Sequence, residues 1–163
     1  MKKIAFASAA ALALSACANG SLMVEQPYRG DYRTAYARIM ADANTVAVDE
    51  DNTDYTTRKM EEAFFGGDDP LFTEGDGISV TYRYLTFDEG SQALRYLMGG
   101  LAGGSKVILE VDFNGPNGTL LSKVRGEGSV SGGFMGGSNK SGIDEAVQEV
   151  AEYASMTFGT NND

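Results

Sequence analysis

The chain has 163 residues, with 13 basic and 23 acidic side chains, one cysteine, no tryptophan and no histidine. That length fits one domain, and a net charge of −10 opposes binding to nucleic acid or anionic head groups, which relies on clustered Lys and Arg. The absence of histidine removes the commonest general base and the commonest metal ligand together, and a lone cysteine leaves stability to the apolar core rather than to disulfides.

Met1-Lys2-Lys3, the apolar run Ile4 to Leu14 and the small residues before Cys17 form the layout of a secretory signal peptide. The run is too short for a transmembrane span, which needs about 20 apolar residues. The ending Leu14-Ser15-Ala16-Cys17 resembles the bacterial lipobox. That resemblance implies cleavage before Cys17 and a lipid on its sulfur, and Ala18 in place of the inner-membrane Asp implies the periplasmic face of the outer membrane. A plain secretory cut after Ala16, leaving a free thiol, is the competing reading. Without residues 1–16 the chain keeps 11 basic and 23 acidic side chains, a net of −12. The expected layout is a signal peptide over 1–16, a lipidated cysteine and flexible tether over 17–30, and one α+β periplasmic domain over 31–163.

Along that domain, Tyr32, Ala35, Tyr36, Ile39 and Ala43 fall at helical spacing and predict a first amphipathic helix. Thr45-Val46-Ala47-Val48 reads as a short buried strand, closed by the acidic turn Asp49 to Asp54. Asp54 is placed to cap a second helix in which Met60, Ala63 and Phe64 face inward and Arg58 and Glu62 lie one turn apart. Gly66-Gly67 ends it. Ile78, Val80, Tyr82 and Tyr84 alternate with Ser79, Thr81 and Arg83, so a strand with one apolar face is expected.

Asp88-Glu89-Gly90-Ser91 is a plausible helix start before the stripe Leu94, Leu97, Met98 and Leu101. Gly99, Gly100, Gly103 and Gly104 weaken such a helix by about 1 kcal/mol each relative to alanine, so a stop at Met98 and a continuation both stay open. Val107, Leu109, Val111 and Phe113 alternate with polar or branched neighbours, and the turn Asn114 to Gly118 leads to a strand from Thr119 to Arg125. The pair predicts an antiparallel hairpin. Gly126 to Gly137 is either the frayed end of that hairpin or a mobile loop. Ser141, with Asp144 three residues on, is placed to cap a last helix. Ile143, Ala146, Val147, Val150, Ala151 and Ala154 form its buried stripe and Glu145, Glu149 and Glu152 its outer face. The whole is α+β: a mixed or antiparallel sheet of about four strands with helices on one face.

Chemistry-bearing motifs fail on inspection. Gly99 to Lys106 has the glycines of a phosphate loop, but its lysine is one position late and the order is helix to strand. Asp49, Asp51, Thr53 and Asp54 open like a calcium loop, yet position six is Asp54 and position twelve Met60. Asp68, Asp69, Glu74 and Asp76 cluster on a presumed loop without a cleft. There is no Gly-x-Ser-x-Gly and no Ser-x-x-Lys. Hence no catalytic residue, metal or cofactor is expected. Tyr28, Tyr32, Tyr36, Tyr82, Tyr84 and Tyr96 could line a glycan or peptide groove, or serve as core filler.

The segment Asp88 to Tyr96, with its Gly-Ser-x-Ala-x-Arg pattern, and the following Gly99-Gly100-Leu101-Ala102-Gly103-Gly104 resemble an uncharacterised family of Gram-negative lipoproteins, a domain of unknown function. The likeness spans about Val46 to Tyr153. It implies an envelope location and supplies no catalytic residues. Arg95, Gly99, Gly100, Gly103, Gly104 and Phe134 are the candidate interaction residues and Cys17 the lipid attachment site. The expected partners are the membrane, through the lipid, and a periplasmic protein or a second copy; the expected role is a non-catalytic interaction module or, alternatively, a lipid- or glycan-binding accessory of envelope transport.

Overall fold

A computed structural model describes residues 20–87, 105–130 and 139–160. The described elements are β1 (Ser21–Gln26), β2 (Tyr36–Ala41), α1 (Glu50–Phe65), β3 (Thr73–Glu74), β4 (Ile78–Phe87), β5 (Ser105–Asn114), β6 (Leu120–Val130) and α2 (Asn139–Phe158). They form one six-stranded mixed sheet in the order β1-β6-β5-β4-β2-β3. The α+β class is as expected, but the sheet has six strands rather than about four.

The alternating segments behave as their pattern dictates. β4 and β5 pair antiparallel with Val80 opposite Phe113 and Tyr82 opposite Val111, and β5 and β6 form the expected hairpin. Its turn places Gly118 at φ +78°, where a side chain would be strained. The hairpin runs further than Arg125: Gly126 and Gly128 pair with Leu109 and Val107, so this part of the glycine-rich stretch is regular sheet.

Four expectations are corrected. Tyr36 to Ala41 is a strand, not a helix. It pairs parallel with β4, Ala37 beside Ile78 and Ile39 beside Val80, and its spacing satisfied a helical and a period-two reading equally. Tertiary pairing decides such cases. Val46 to Val48 is not a strand: Asn44 Oδ1 accepts from the Tyr84 amide at 3.1 Å and Thr45 donates to the Tyr84 carbonyl through N–H and hydroxyl. Two side-chain bonds and one backbone bond thus stand in for a ladder before the chain turns away. Ser21 to Gln26 is strand β1, antiparallel to β6, rather than tether. Finally, the helices start earlier than expected. Asp49, not Asp54, caps α1 by accepting from the Asn52 amide at 2.9 Å, and Ser141 lies inside α2.

Both described helices cover one face of the sheet. From α1, Met60 and Phe64 are buried; Thr56 is hydrogen-bonded to the Tyr84 hydroxyl and Thr57 to that of Tyr82 at 2.7 Å. Burial of its phenol pushes the Tyr84 pKa up to about 12. From α2, Ile143, Ala146, Val150 and Ala154 are buried, as the stripe required. Phe113 and Tyr28 both pack at a tilt against Phe158, closing the core at the C-terminal end of α2.

α2 lies unusually close to β6. A Cβ on Gly128 would stand 1.9 Å from the Gly142 carbonyl oxygen, and one on Gly126 2.5 Å from that of Ala146. Gly128→Ala is therefore expected to force α2 off the sheet and lower the unfolding free energy by about 1–3 kcal/mol, the usual range for overpacking, read as a reduced urea midpoint. Gly67 has open space and only a φ of +85°, so Gly67→Ala should cost about 1 kcal/mol. Equal midpoints for the wild type and Gly128→Ala would refute the close approach.

Candidate functional site

Each helix has one face on the sheet and a second face turned to the other helix. Ala63 of α1 and Val147 and Ala151 of α2 face a groove of about 630 Å³ between the helices. Val147 and Ala151 are almost fully covered, so they are its floor. Glu62, Asp69, Asp144 and Glu152 form most of its rim, with Lys59. Leu71 and Met156 stand together at one mouth, 40% and 61% exposed.

The opposite end is tied. The Tyr55 hydroxyl donates to both oxygens of Asp144, at 2.8 and 3.0 Å, joining the N-terminal halves of α1 and α2. Burial, then the Asp144 hydrogen bond and charge, push the Tyr55 pKa above its ordinary value. Lys140, Lys59 and Arg58 stand 5.0, 5.8 and 5.9 Å from its ring centre, within cation–π range. Lys59 also bonds Glu62 at 2.7 Å. The groove thus has a pinned, charge-balanced end at Tyr55 and an open, acidic, apolar-lipped end at Leu71 and Met156.

The outer face of the sheet is organised differently. Arg83, Glu110 and Arg125 are directly opposite one another on β4, β5 and β6. Glu110, only 6% exposed, pairs with Arg83, with Lys123 at 3.1 Å and with Arg125 at 3.4 Å. Lys123 also holds Asp112, Arg125 holds Glu25, Arg83 holds Asp42 and Lys106 holds Glu127. Burial alone would raise the Glu110 pKa, but hydrogen bonds from Lys123 and Arg83 outweigh it and hold the carboxyl below its ordinary range. Four cations thus serve five carboxylates, and this face comes close to neutralising itself.

Cys17, Arg95, Gly99, Gly100, Gly103, Gly104 and Phe134 all lie outside the described residues, as does the helix expected after Asp88. The calcium-like acids Asp49, Asp51 and Asp54 belong to the N-cap and first turns of α1. Among the described residues no group of three or more His, Cys, Asp or Glu is placed to hold a metal ion. Of the loop acids, Asp69 lines the groove and Asp76 pairs with Arg38 at 3.4 Å. None of the described tyrosines lines it: Tyr82 and Tyr84 are core, and the Tyr28 hydroxyl accepts from the Tyr32 amide; Tyr96 lies outside the described residues. Sequence reasoning missed the groove. Its signal was the width of the α2 stripe, in which Val147 and Ala151 exceed what one sheet contact covers.

No family model and no curated protein matches the chain. Among solved structures it is similar to the PelC dodecamer from Paraburkholderia phytofirmans in space group P6, at 10% identity and a TM-score of 0.50, over 86% of this chain and 99% of that one. A single-substitution form of PelC from the same organism, a dodecamer in space group C2, matches at 10% identity and a TM-score of 0.48, over 85% and 98%. At such identity the likeness is one of fold.

The Glu110 cluster yields a signed prediction. A carboxyl held below its unfolded pKa stabilises the fold above that value, about 4.3, and the contribution disappears as pH falls through the lower folded value. Glu110→Gln should cost about 1–3 kcal/mol near pH 7, the scale of charged hydrogen bonds, and should flatten the acid limb of unfolding free energy against pH. An acid limb as steep as that of the wild type would remove Glu110 from this role.

Proposed function

We propose that the protein is an outer-membrane-anchored periplasmic lipoprotein that acts as a non-catalytic interaction module, presenting the groove between α1 and α2 to another envelope protein. The observation that carries the reading is the exposure of Leu71 and Met156 at the mouth of an apolar-floored groove. Exposed apolar groups beside a cleft with a polar rim are the usual mark of an interaction surface. The lipobox-like ending at Cys17 supports the anchor. No described helix is long and apolar enough to cross a membrane, so attachment would fall to the lipid, and two or more lipid signals hold a protein firmly.

PelC, which has this fold, is a dodecamer, so a second copy of this chain is a partner to be tested beside a different protein. A second reading, a ligand-binding accessory of envelope transport, is favoured by the groove volume of about 630 Å³, within the 300–1,000 Å³ range of small-molecule sites.

Cys17→Ser should move the protein from the membrane fraction to the soluble fraction of the envelope; retention in the membrane would remove the lipid anchor. A photo-crosslinking residue placed at Leu71 or Met156 in the lipidated protein in cells should capture a protein partner. Silence at every surface position, with the purified chain monomeric, would overturn the interaction module, and copurification of a lipid or glycan would then favour the second reading.

A further inference from the structure

The groove's charge is not balanced along its length. Its lining carries four carboxylates against one ammonium. Lys59 is taken up by Glu62, and Asp144 by the Tyr55 hydroxyl, at the end where Arg58 and Lys140 also gather. Asp69 and Glu152, beside Leu71 and Met156, have no ion-pair partner among the described residues. The same imbalance extends up α2, where burial and then repulsion from Glu152 and Glu145 raise the Glu149 pKa. On the outer sheet face, by contrast, Glu25, Asp42, Glu110, Asp112 and Glu127 each have a cation. Among the described residues, much of the uncompensated charge therefore lies on the helix layer, and two of its carboxylates, Asp69 and Glu152, stand at the open end of an apolar groove.

We propose that this groove receives a basic amphipathic helix of another envelope protein, whose apolar side chains enter between α1 and α2 while its Lys or Arg residues meet Asp69 and Glu152. The proposal rests on the interaction-module reading and names the partner's chemistry. A space of about 630 Å³ takes several aliphatic side chains from one helical face rather than a globular surface, which is the helix-in-groove mode with anchors at i, i+3, i+4 and i+7. At 1.5 Å per residue, the lining stretches, Lys59 to Gly66 along α1 and its C-cap and Asp144 to Met156 along α2, give walls of about 10 and 18 Å, room for about two to three turns of a docked helix. Charge selects the occupant. An anionic lipid surface is repelled, and a second copy would bring the same uncompensated helix layer against this one.

The test uses the full chain in detergent and a fluorescent amphipathic peptide of about 15 residues built from Leu and Lys, with a Leu and Glu peptide of the same apolar pattern beside it. The Leu/Lys peptide is expected to bind, more weakly as salt rises. Asp69→Lys with Glu152→Lys should weaken it by about tenfold or more, and so should Leu71→Ser with Met156→Ser. Arg38→Glu on the sheet side should leave it unchanged. All these positions are exposed, and far-UV spectra confirm folding.

Equal binding of the Leu/Glu peptide, or affinity unaffected by charge reversal, overturns the proposal, as does saturation of the groove by self-association. If in-cell crosslinking is silent at Leu71 and Met156 but captures a protein at Met23 or Met40, this assignment fails while the interaction-module reading survives.

Discussion

The backbone contact between α2 and β6 is the constraint from which the rest of the helix layer follows. With no side chain at Gly126 or Gly128, the α2 carbonyls of Ala146 and Gly142 lie where a Cβ would be. Close approach brings Ile143, Ala146 and Val150 fully into the core and leaves the next residues round the helix, Val147 and Ala151, on the flank. Buried side chains of ordinary size on β6 would hold the helix several ångströms further out and close that flank differently. The groove therefore begins as a property of two glycines in a strand.

The position of α1 is set by polar rather than apolar means. Thr56 and Thr57 reach down to the hydroxyls of Tyr84 and Tyr82, two large side chains that alternate onto the helix-facing side of β4. Such pairs satisfy groups whose unpaired burial would cost about 1–3 kcal/mol each, and they fix the rotation of α1 about its axis. The Tyr55 bond to Asp144 then fixes its distance from α2 at one end only. A helix pair tied at one end and bounded by a loop carrying Asp69 and Leu71 at the other keeps an opening there.

Legibility in the sequence followed the strength of the local pattern. β4, the β5–β6 hairpin and α2 were readable because alternation or a wide apolar stripe admits one reading. β2 was not, since Tyr36, Ala37, Ile39 and Met40 satisfy two periods and only pairing with β4 decides between them. β1 was unreadable for a different reason: as an edge strand with Met23 and Val24 exposed, it has no buried face to write into the sequence. The groove was half legible, in the α2 stripe. Its rim was not, because Asp69, Leu71 and Glu152 converge only once the loop after α1 is folded back beside α2.

The distribution of charge adds an argument that neither composition nor fold supplies alone. A net acidic chain could spread its excess evenly, and it would then say only that the protein is soluble. Here the sheet's outer face interleaves cations and anions around Glu110, a cross-strand arrangement in which opposite charges support pairing. Among the described residues, much of the excess is left to the two helices and the loop after α1. Self-repulsion on one layer costs stability unless something offsets it, and the groove is where apolar surface and unpaired carboxylates coincide. A binding event there would bury Leu71 and Met156 and neutralise Asp69 and Glu152 in one step, whereas on the sheet face it would first have to break ion pairs already made.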